Sequence, residues 1–149
     1  MNNSDSSACS EAPRSEWDWE RDRDRLPVHV SEDEAEIERS NSTIARRGKF
    51  CGTNVTVKSI NPDLDRNTRR TLLGKLGREG ANHRDLVYPN VCQFLGVATV
   101  EHGPALVFSP FDWTLKELIG KAEQNLLLSY FAEAVAGVRF IHWRGLVHC

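Results

Sequence analysis

The chain has 149 residues, of which 40% are hydrophobic and 27% are charged, and its formal net charge is −2. This length suits one domain, and so small a net charge gives no indication of a nucleic-acid partner. No apolar run approaches the roughly 18 residues that cross a bilayer, and the first residues lack the basic start and apolar core of a signal peptide. We therefore expect a cytoplasmic protein without a membrane span.

The first part of the chain differs in charge from the rest. Residues 1–40 carry 12 acidic and five basic side chains and few aliphatic ones, so residues 41–149 carry a net charge of +5. A segment of this composition buries too little apolar surface to offset the entropy that it loses on ordering. We expect a disordered acidic tail over residues 1–36 and a folded part over residues 37–149.

Four cysteines are spread along the chain, at Cys9, Cys51, Cys92 and Cys149. They show neither the CxxC spacing nor the Cys/His pairing that is typical of metal sites. We expect free thiols, as in an intracellular protein, and no metal centre.

The first predicted elements are two strands and a helix. Residues 44–60 are rich in β-branched side chains around a "CGTN" turn, which is typical of a hairpin. Residues 64–83 have helical spacing of leucines but contain three glycines, each of which costs a helix about 1 kcal/mol relative to Ala. This helix must therefore be held by packing. The leucines on its apolar side are Leu72, Leu73 and Leu76.

The second half of the chain predicts two more strands and two more helices. Residues 88–100 and 104–111 are typical of strands joined by the "EHG" turn, and residues 114–120 are typical of a short helix. A final helix carries an apolar stripe at spacings of four, three, four and three residues. Strands, helix, strands and then helices predict an α+β fold with an antiparallel sheet. The stripe consists of Leu127, Phe131, Ala134, Val138 and Ile141.

Two charged residues stand out against this background. Lys58 lies inside the β-branched strand "VTVK", and Glu79 follows it by 21 residues in the predicted helix. Taken singly, an edge-strand lysine is often a guard against aggregation, and a helical glutamate usually lies on a solvated face. Neither residue alone indicates a functional site.

The order and spacing of several segments resemble those of eukaryotic protein kinases. The segments are "VTVKSI", "RE", "YPNVCQFLGV", "ALVFSPF" and "AVAGVRFIHWRGLVH", and "FCGTNVTVK" is closest to the tyrosine-kinase-like serine/threonine group. The resemblance covers residues 37–149. It implies a small lobe, an antiparallel sheet with a regulatory helix, over about 37–111, and the first helices of the large lobe over 112–149.

The resemblance also implies roles in binding ATP. Lys58 would contact the α- and β-phosphates, and Glu79 would pair with Lys58 to hold it in place. Val57 would line the apolar floor of the nucleotide site. Thr56 would stand above the adenine, where the family prefers Ala, and would add bulk there.

The resemblance assigns the rear and the edge of the same site to residues of the segment "ALVFSPF". The resemblance implies that Phe108 is the gatekeeper residue and closes a rear pocket. Ser109 to Phe111 would form the hinge whose backbone bonds the adenine, although Pro110 has no N–H to contribute.

The glycine-rich loop of the family is replaced here. It should occupy residues 37–45, where this sequence has "IERSNSTIA", with Glu38, Ser40 and Thr43 at the positions of the glycines. Glycines let backbone N–H groups approach phosphates closely. We therefore expect ATP binding to be weak or lost.

The end of the sequence, "GLVHC", resembles the approach to the catalytic loop, with His148 as its histidine and Cys149 in place of the arginine. In the family the catalytic Asp, a following Asn and the Asp-Phe-Gly magnesium motif come next. Phosphoryl transfer depends on that base and on those metal ligands. We expect this chain, truncated there, to be inactive, and we expect Mg²⁺ to bind only a full-length form.

Two functional hypotheses share this fold. The first is a chain of the protein-kinase family, with ATP binding and protein serine/threonine phosphorylation as the family activity but no transfer by this chain. The alternative is a pseudokinase-like, non-catalytic module that docks a full kinase or another protein partner. A third interpretation is an unrelated α+β domain that imitates the pattern.

Overall fold

The computed structural model describes residues 28–29, 36–111 and 113–147. Most of the predicted acidic tail, together with His148 and Cys149, lies outside these residues. Three helices are described: α1 (Arg66–His83), α2 (Leu115–Leu118) and α3 (Gln124–Trp143). The strands are β1 (Val28–His29), β2 (Glu36–Arg39), β3 (Thr43–Phe50), β4 (Thr53–Ile60), β5 (Phe94–Val100) and β6 (Gly103–Phe108).

The strands form one antiparallel sheet in the order β1-β3-β4-β6-β5, and β2 also pairs with β3. The α+β class with an antiparallel sheet followed by helices is therefore confirmed. Strand β1 pairs with the end of β3 although it lies in the stretch expected to be a tail. Backbone pairing of this kind satisfies N–H and C=O groups and needs no buried aliphatic side chains.

A tight turn sets the register of the β3–β4 hairpin. Cys51 and Gly52 connect the strands, and their φ angles of 49° and 80° are both positive. Two central residues with positive φ are typical of type I′ turns, whose twist matches that of the flanking strands. The turn predicted within "CGTN" is confirmed, and its register sets Ala45 opposite Lys58.

The second hairpin is shorter than the sequence predicts. Strand β5 begins at Phe94 and β6 ends at Phe108, whereas the expected strands ran from 88 and to 111. Pro110 cannot donate to a ladder, so it does not extend β6. Ser109 instead closes the pair by donating its N–H to the carbonyl of Gln93 at 2.8 Å.

The sheet buries a cluster of apolar side chains on each face, because alternate side chains of a strand point to opposite sides. Helix α1 covers only one of these faces. The cluster on that face is Ile60, Leu76, Val97, Leu106 and Phe108. The cluster on the other face is Val55, Val57, Ala98, Ala105 and Val107.

Helix α1 begins at a well-formed cap. The Asp65 side chain accepts hydrogen bonds from the N–H groups of Asn67 and Thr68, which are among the donors that a helix start leaves unpaired. The hydrogen bond from the Thr68 hydroxyl is the main reason why the pKa of Asp65 lies below its usual value. The start at Arg66 falls two residues after the predicted one.

Helix α3 packs against the connection between α1 and β5. Tyr88 stacks on Phe140 with ring centroids 4.5 Å apart. Gly137 is buried, and a Cβ there would lie 2.3 Å from the carbonyl oxygen of Asn90, so only glycine permits this approach. Of the predicted stripe, Leu127 and Ile141 are half-buried and the other three residues are exposed. Among the described residues no helix has both the length and the apolar character for a bilayer crossing.

Candidate functional site

A cleft of about 450 Å³ opens on the face of the sheet that carries α1. The β2–β3 hairpin, β4 and α1 form its walls, and the residues around the end of β6 close it. Its polar and charged lining consists of Glu38, Ser40, Thr43, Lys58, Glu79 and His83. The remaining lining consists of Ala45, Thr56, Cys92, Phe108 and Phe111.

An ion pair forms part of the cleft lining. The Nζ atom of Lys58 is 2.7 Å from Oε1 and 3.0 Å from Oε2 of Glu79. The two side chains are 31% and 32% exposed, so both stay within reach of a ligand. The ion pair that the resemblance implied is therefore present, while its role towards a nucleotide stays a prediction.

Packing of the core holds this pair together. Lys58 shares a strand face with Thr56 and Ile60, and Ile60 belongs to the cluster under α1. Glu79 lies three residues after Leu76, which is buried in the same cluster, so both side chains of α1 project towards β4. At this exposure an ion pair contributes little to stability. Its geometry follows from the apolar contacts around it.

Aromatic side chains close the rear of the cleft. Phe108 is only 7% exposed and meets the rings of His83 and Phe94 edge to face, with centroids 5.5 and 5.6 Å apart. The carbonyl of Glu79 lies 3.0 Å from Nδ1 of His83, which ties this ring to the helix that carries the ion pair. Phe108 is therefore a buried aromatic residue of the cleft lining, while its role as a gatekeeper stays a prediction.

Thr56 brings an unusual polar group to the cleft. The residue is 2% exposed, and its Oγ1 has no hydrogen-bond partner among the described residues. It lies beside Phe108 in the β4–β6 pair. A buried hydroxyl without a partner destabilises a fold by about 1–3 kcal/mol.

Two residues expected in the site do not line the cleft. Val57 packs into the cluster on the opposite face of the sheet, because it alternates with Thr56 and Lys58 along β4. The expectation that Val57 forms the floor of a nucleotide site is therefore not met. Ser109 is tied to Gln93 through its N–H and through its Oγ, which accepts from the Gln93 N–H at 3.0 Å.

The hinge expected over 109–111 therefore offers few free donors. The N–H of Ser109 is engaged, and Pro110 has none. Phe111 does line the cleft. His148, expected at the start of a catalytic loop, lies outside the described residues.

Sequence reasoning did not single out three lining residues. The presence of Ala45 in the lining could have been inferred from the two-residue turn at 51–52, because that turn sets residue 45 opposite Lys58. His83 lies one helical turn beyond Glu79 and therefore shares its face. Cys92 carries no comparable signal. Cys92 is exposed overall, and partial desolvation raises the pKa of its thiol, which disfavours the nucleophilic thiolate.

The turn between β2 and β3 satisfies its own backbone. Oγ of Ser40 accepts hydrogen bonds from the N–H groups of Ser42 and Thr43, at 3.2 and 2.9 Å. The N–H of Ser40 in turn donates to the carbonyl of Thr43 at 2.9 Å. This turn is where the resemblance places the phosphate-binding loop.

No group of three or more His, Cys, Asp or Glu side chains within the described ranges is arranged to hold a metal ion. A comparison with models of known protein families gave no match, and neither did a comparison with curated proteins. A functional proposal therefore rests on the resemblance in sequence together with the geometry of the cleft.

Proposed function

We propose that this chain is a kinase-like binding module that holds an adenine nucleotide weakly in the cleft and does not transfer phosphate. The Lys58–Glu79 ion pair inside the cleft carries this proposal. The cavity volume falls within the range of small-molecule sites, about 300–1,000 Å³. The resemblance in sequence is the reason for proposing a nucleotide as the ligand. The geometry supports this proposal because the cleft has a suitable size.

The lining fits one part of a nucleotide better than the other. Phe108, Phe111 and Ala45 are lining residues that offer apolar surface to a flat ring. Lys58 is the lysine of the lining and could bind a phosphate through its ammonium. That ammonium already forms an ion pair with Glu79. Glu38 adds a second carboxylate at the hairpin side. These residues support weak binding of a nucleotide.

The same residues favour binding over transfer. Phosphoryl transfer depends on a carboxylate that positions the nucleophile and on carboxylate and amide ligands for Mg²⁺. In the described part of the chain the carboxylates that line the cleft are Glu38 and Glu79. Glu79 is held by Lys58, and Glu38 is a single group, so neither supplies a base together with a magnesium site.

A second candidate function is docking of a protein partner. One face of α3 exposes four large apolar side chains, which we call the α3 patch: Leu128, Phe131, Val135 and Val138. Such surface is typical of protein interaction sites. This function is compatible with the first, because the α3 patch lies outside the lining of the cleft.

A thermal-shift titration tests the nucleotide site. ATP at 100 times its Kd should stabilise the wild-type chain by about 2.7 kcal/mol, and Lys58→Met should abolish the shift because it removes the ammonium in the cleft. Lys116→Met is the matched control, since Lys116 is exposed on α2, outside the cleft. A folded wild-type chain that shifts with neither ATP nor adenosine would contradict the proposal.

A further inference from the structure

We infer that the cleft selects an uncharged nucleoside-type ligand over a triphosphate, an inference that rests on the proposed function. Three observations carry it: the charge of the lining, the engaged donors of the β2–β3 turn, and the apolar rear wall.

The lining is negatively charged overall. Its charged side chains are one cationic residue, Lys58, and two anionic residues, Glu38 and Glu79. Their formal charges sum to −1 when histidine is counted as neutral. The ammonium of Lys58 is already paired with Glu79, whose two carboxylate oxygens both lie within 3.0 Å of Nζ. A triphosphate would therefore meet the carboxylate of Glu38, which is exposed at the hairpin side of the cleft, and like charges there repel by an amount that salt reduces.

The β2–β3 turn offers few free donors to a phosphate. Loops that bind phosphate do so with backbone N–H groups that point at the anion. Here the N–H groups of Ser42 and Thr43 donate to Oγ of Ser40, and the N–H of Ser40 donates to the Thr43 carbonyl. The turn would have to break its own hydrogen bonds to hold an anion.

The rear wall suits an uncharged ring. Phe108 and Phe111 provide apolar contact area, and Cys92 with its protonated thiol adds no charge there. Thr56 Oγ1 lies nearby without a partner. This hydroxyl is buried in the free protein, so a ligand would contact it only if the wall opened there. The surface that this wall presents to the cleft is therefore uncharged and largely apolar, which suits a neutral ring.

The test compares adenosine with ATP by isothermal titration calorimetry on the full chain, without Mg²⁺ and at constant ionic strength. We expect the wild type to bind adenosine about tenfold more tightly than ATP. Glu38→Gln should raise the affinity for ATP relative to adenosine about tenfold, because the substitution removes the charge and keeps the shape. Glu133→Gln, on the exposed surface of α3, is the control and should change neither affinity.

A second variant tests the turn. Ser40→Gly removes the hydroxyl that engages two N–H groups, so we expect it also to raise the affinity for ATP relative to adenosine. Tighter binding of ATP than of adenosine by the wild type would overturn the inference while leaving the proposed function intact. An unchanged ratio of the two affinities in Glu38→Gln would do the same. Binding of neither compound to the folded chain would overturn both.

Discussion

At the scale of single residues, Thr56 shows how the cleft departs from a purely stabilising core. Its hydroxyl is buried on the α1 face of the sheet and has no partner among the described residues. Removal of a buried polar group that is unpaired relieves a desolvation penalty, whereas removal of a paired one leaves its partner unsatisfied. The hydroxyl of Thr56 therefore destabilises the folded protein.

Substitution of this threonine tests that argument. Thr56→Val keeps the shape and removes the hydroxyl, so we expect the free energy of unfolding to rise by about 1 kcal/mol. Urea denaturation measures the change. Thr53→Val, at an exposed position of the same strand, is the control and should have an effect within about 0.5 kcal/mol. A loss of stability in Thr56→Val would mean that the hydroxyl has a partner after all.

At the scale of elements, the glycines of α1 do two different things. A Cβ on Gly80 would lie 2.8 Å from Cδ2 of Leu106, so this glycine lets the helix approach β6. A Cβ on Gly74 would meet no atom within 4 Å, and the residue is exposed. From the sequence alone, we expected both glycines to destabilise the helix by the same amount.

Alanine at each position separates the two roles. Gly74→Ala should stabilise the chain by about 1 kcal/mol through better helix propensity. Gly80→Ala should destabilise it by about 1 kcal/mol, because overpacking costs about 1–3 kcal/mol and exceeds the same gain in propensity. Denaturation curves of the two variants, recorded side by side, provide the check. Equal stabilisation by both would show that Leu106 moves aside freely.

At the scale of the whole molecule, α3 is attached through one side only. Gly137 and Phe140 contact the 88–90 segment, while the α3 patch faces outward, with Val135 66% and Leu128 62% exposed. Contiguous apolar surface of this kind promotes association in water.

We expect the purified chain to associate as its concentration rises. Sedimentation velocity over a hundredfold range of concentration should show growing species for the wild type. The double variant Leu128→Lys, Val135→Lys should shift the distribution towards monomer, because it places two like charges on the α3 patch. Ser129→Lys with Glu133→Lys, at other exposed positions of α3, is the control. A wild-type chain that stays monomeric throughout would contradict the prediction.

Local patterns were sufficient for most elements. The β3–β4 hairpin followed from β-branched residues around a turn with a glycine, and α1 and α3 followed from helical spacing of apolar residues. Element ends were less certain, since Pro110 and Ser109 set the end of β6 through one missing donor and one hydrogen bond to Gln93. Patterns of side-chain type contain no information about such a partner 16 residues away.

The candidate site, too, was predictable from the sequence only in part. Lys58 and Glu79 were singled out from the sequence, and the alternation of side chains along a strand is enough to place Val57 on the face opposite Lys58. Only the tertiary structure decided that Lys58 and Glu79 meet, because their distance depends on how α1 packs on the sheet through Leu76 and Gly80. The lone hydroxyl of Thr56 and the engaged donors of the Ser40 turn are also tertiary facts, since hydrogen-bond partners are chosen by proximity in space. Local periodicity thus determined the elements of this protein, and packing between them decided what its cleft can hold.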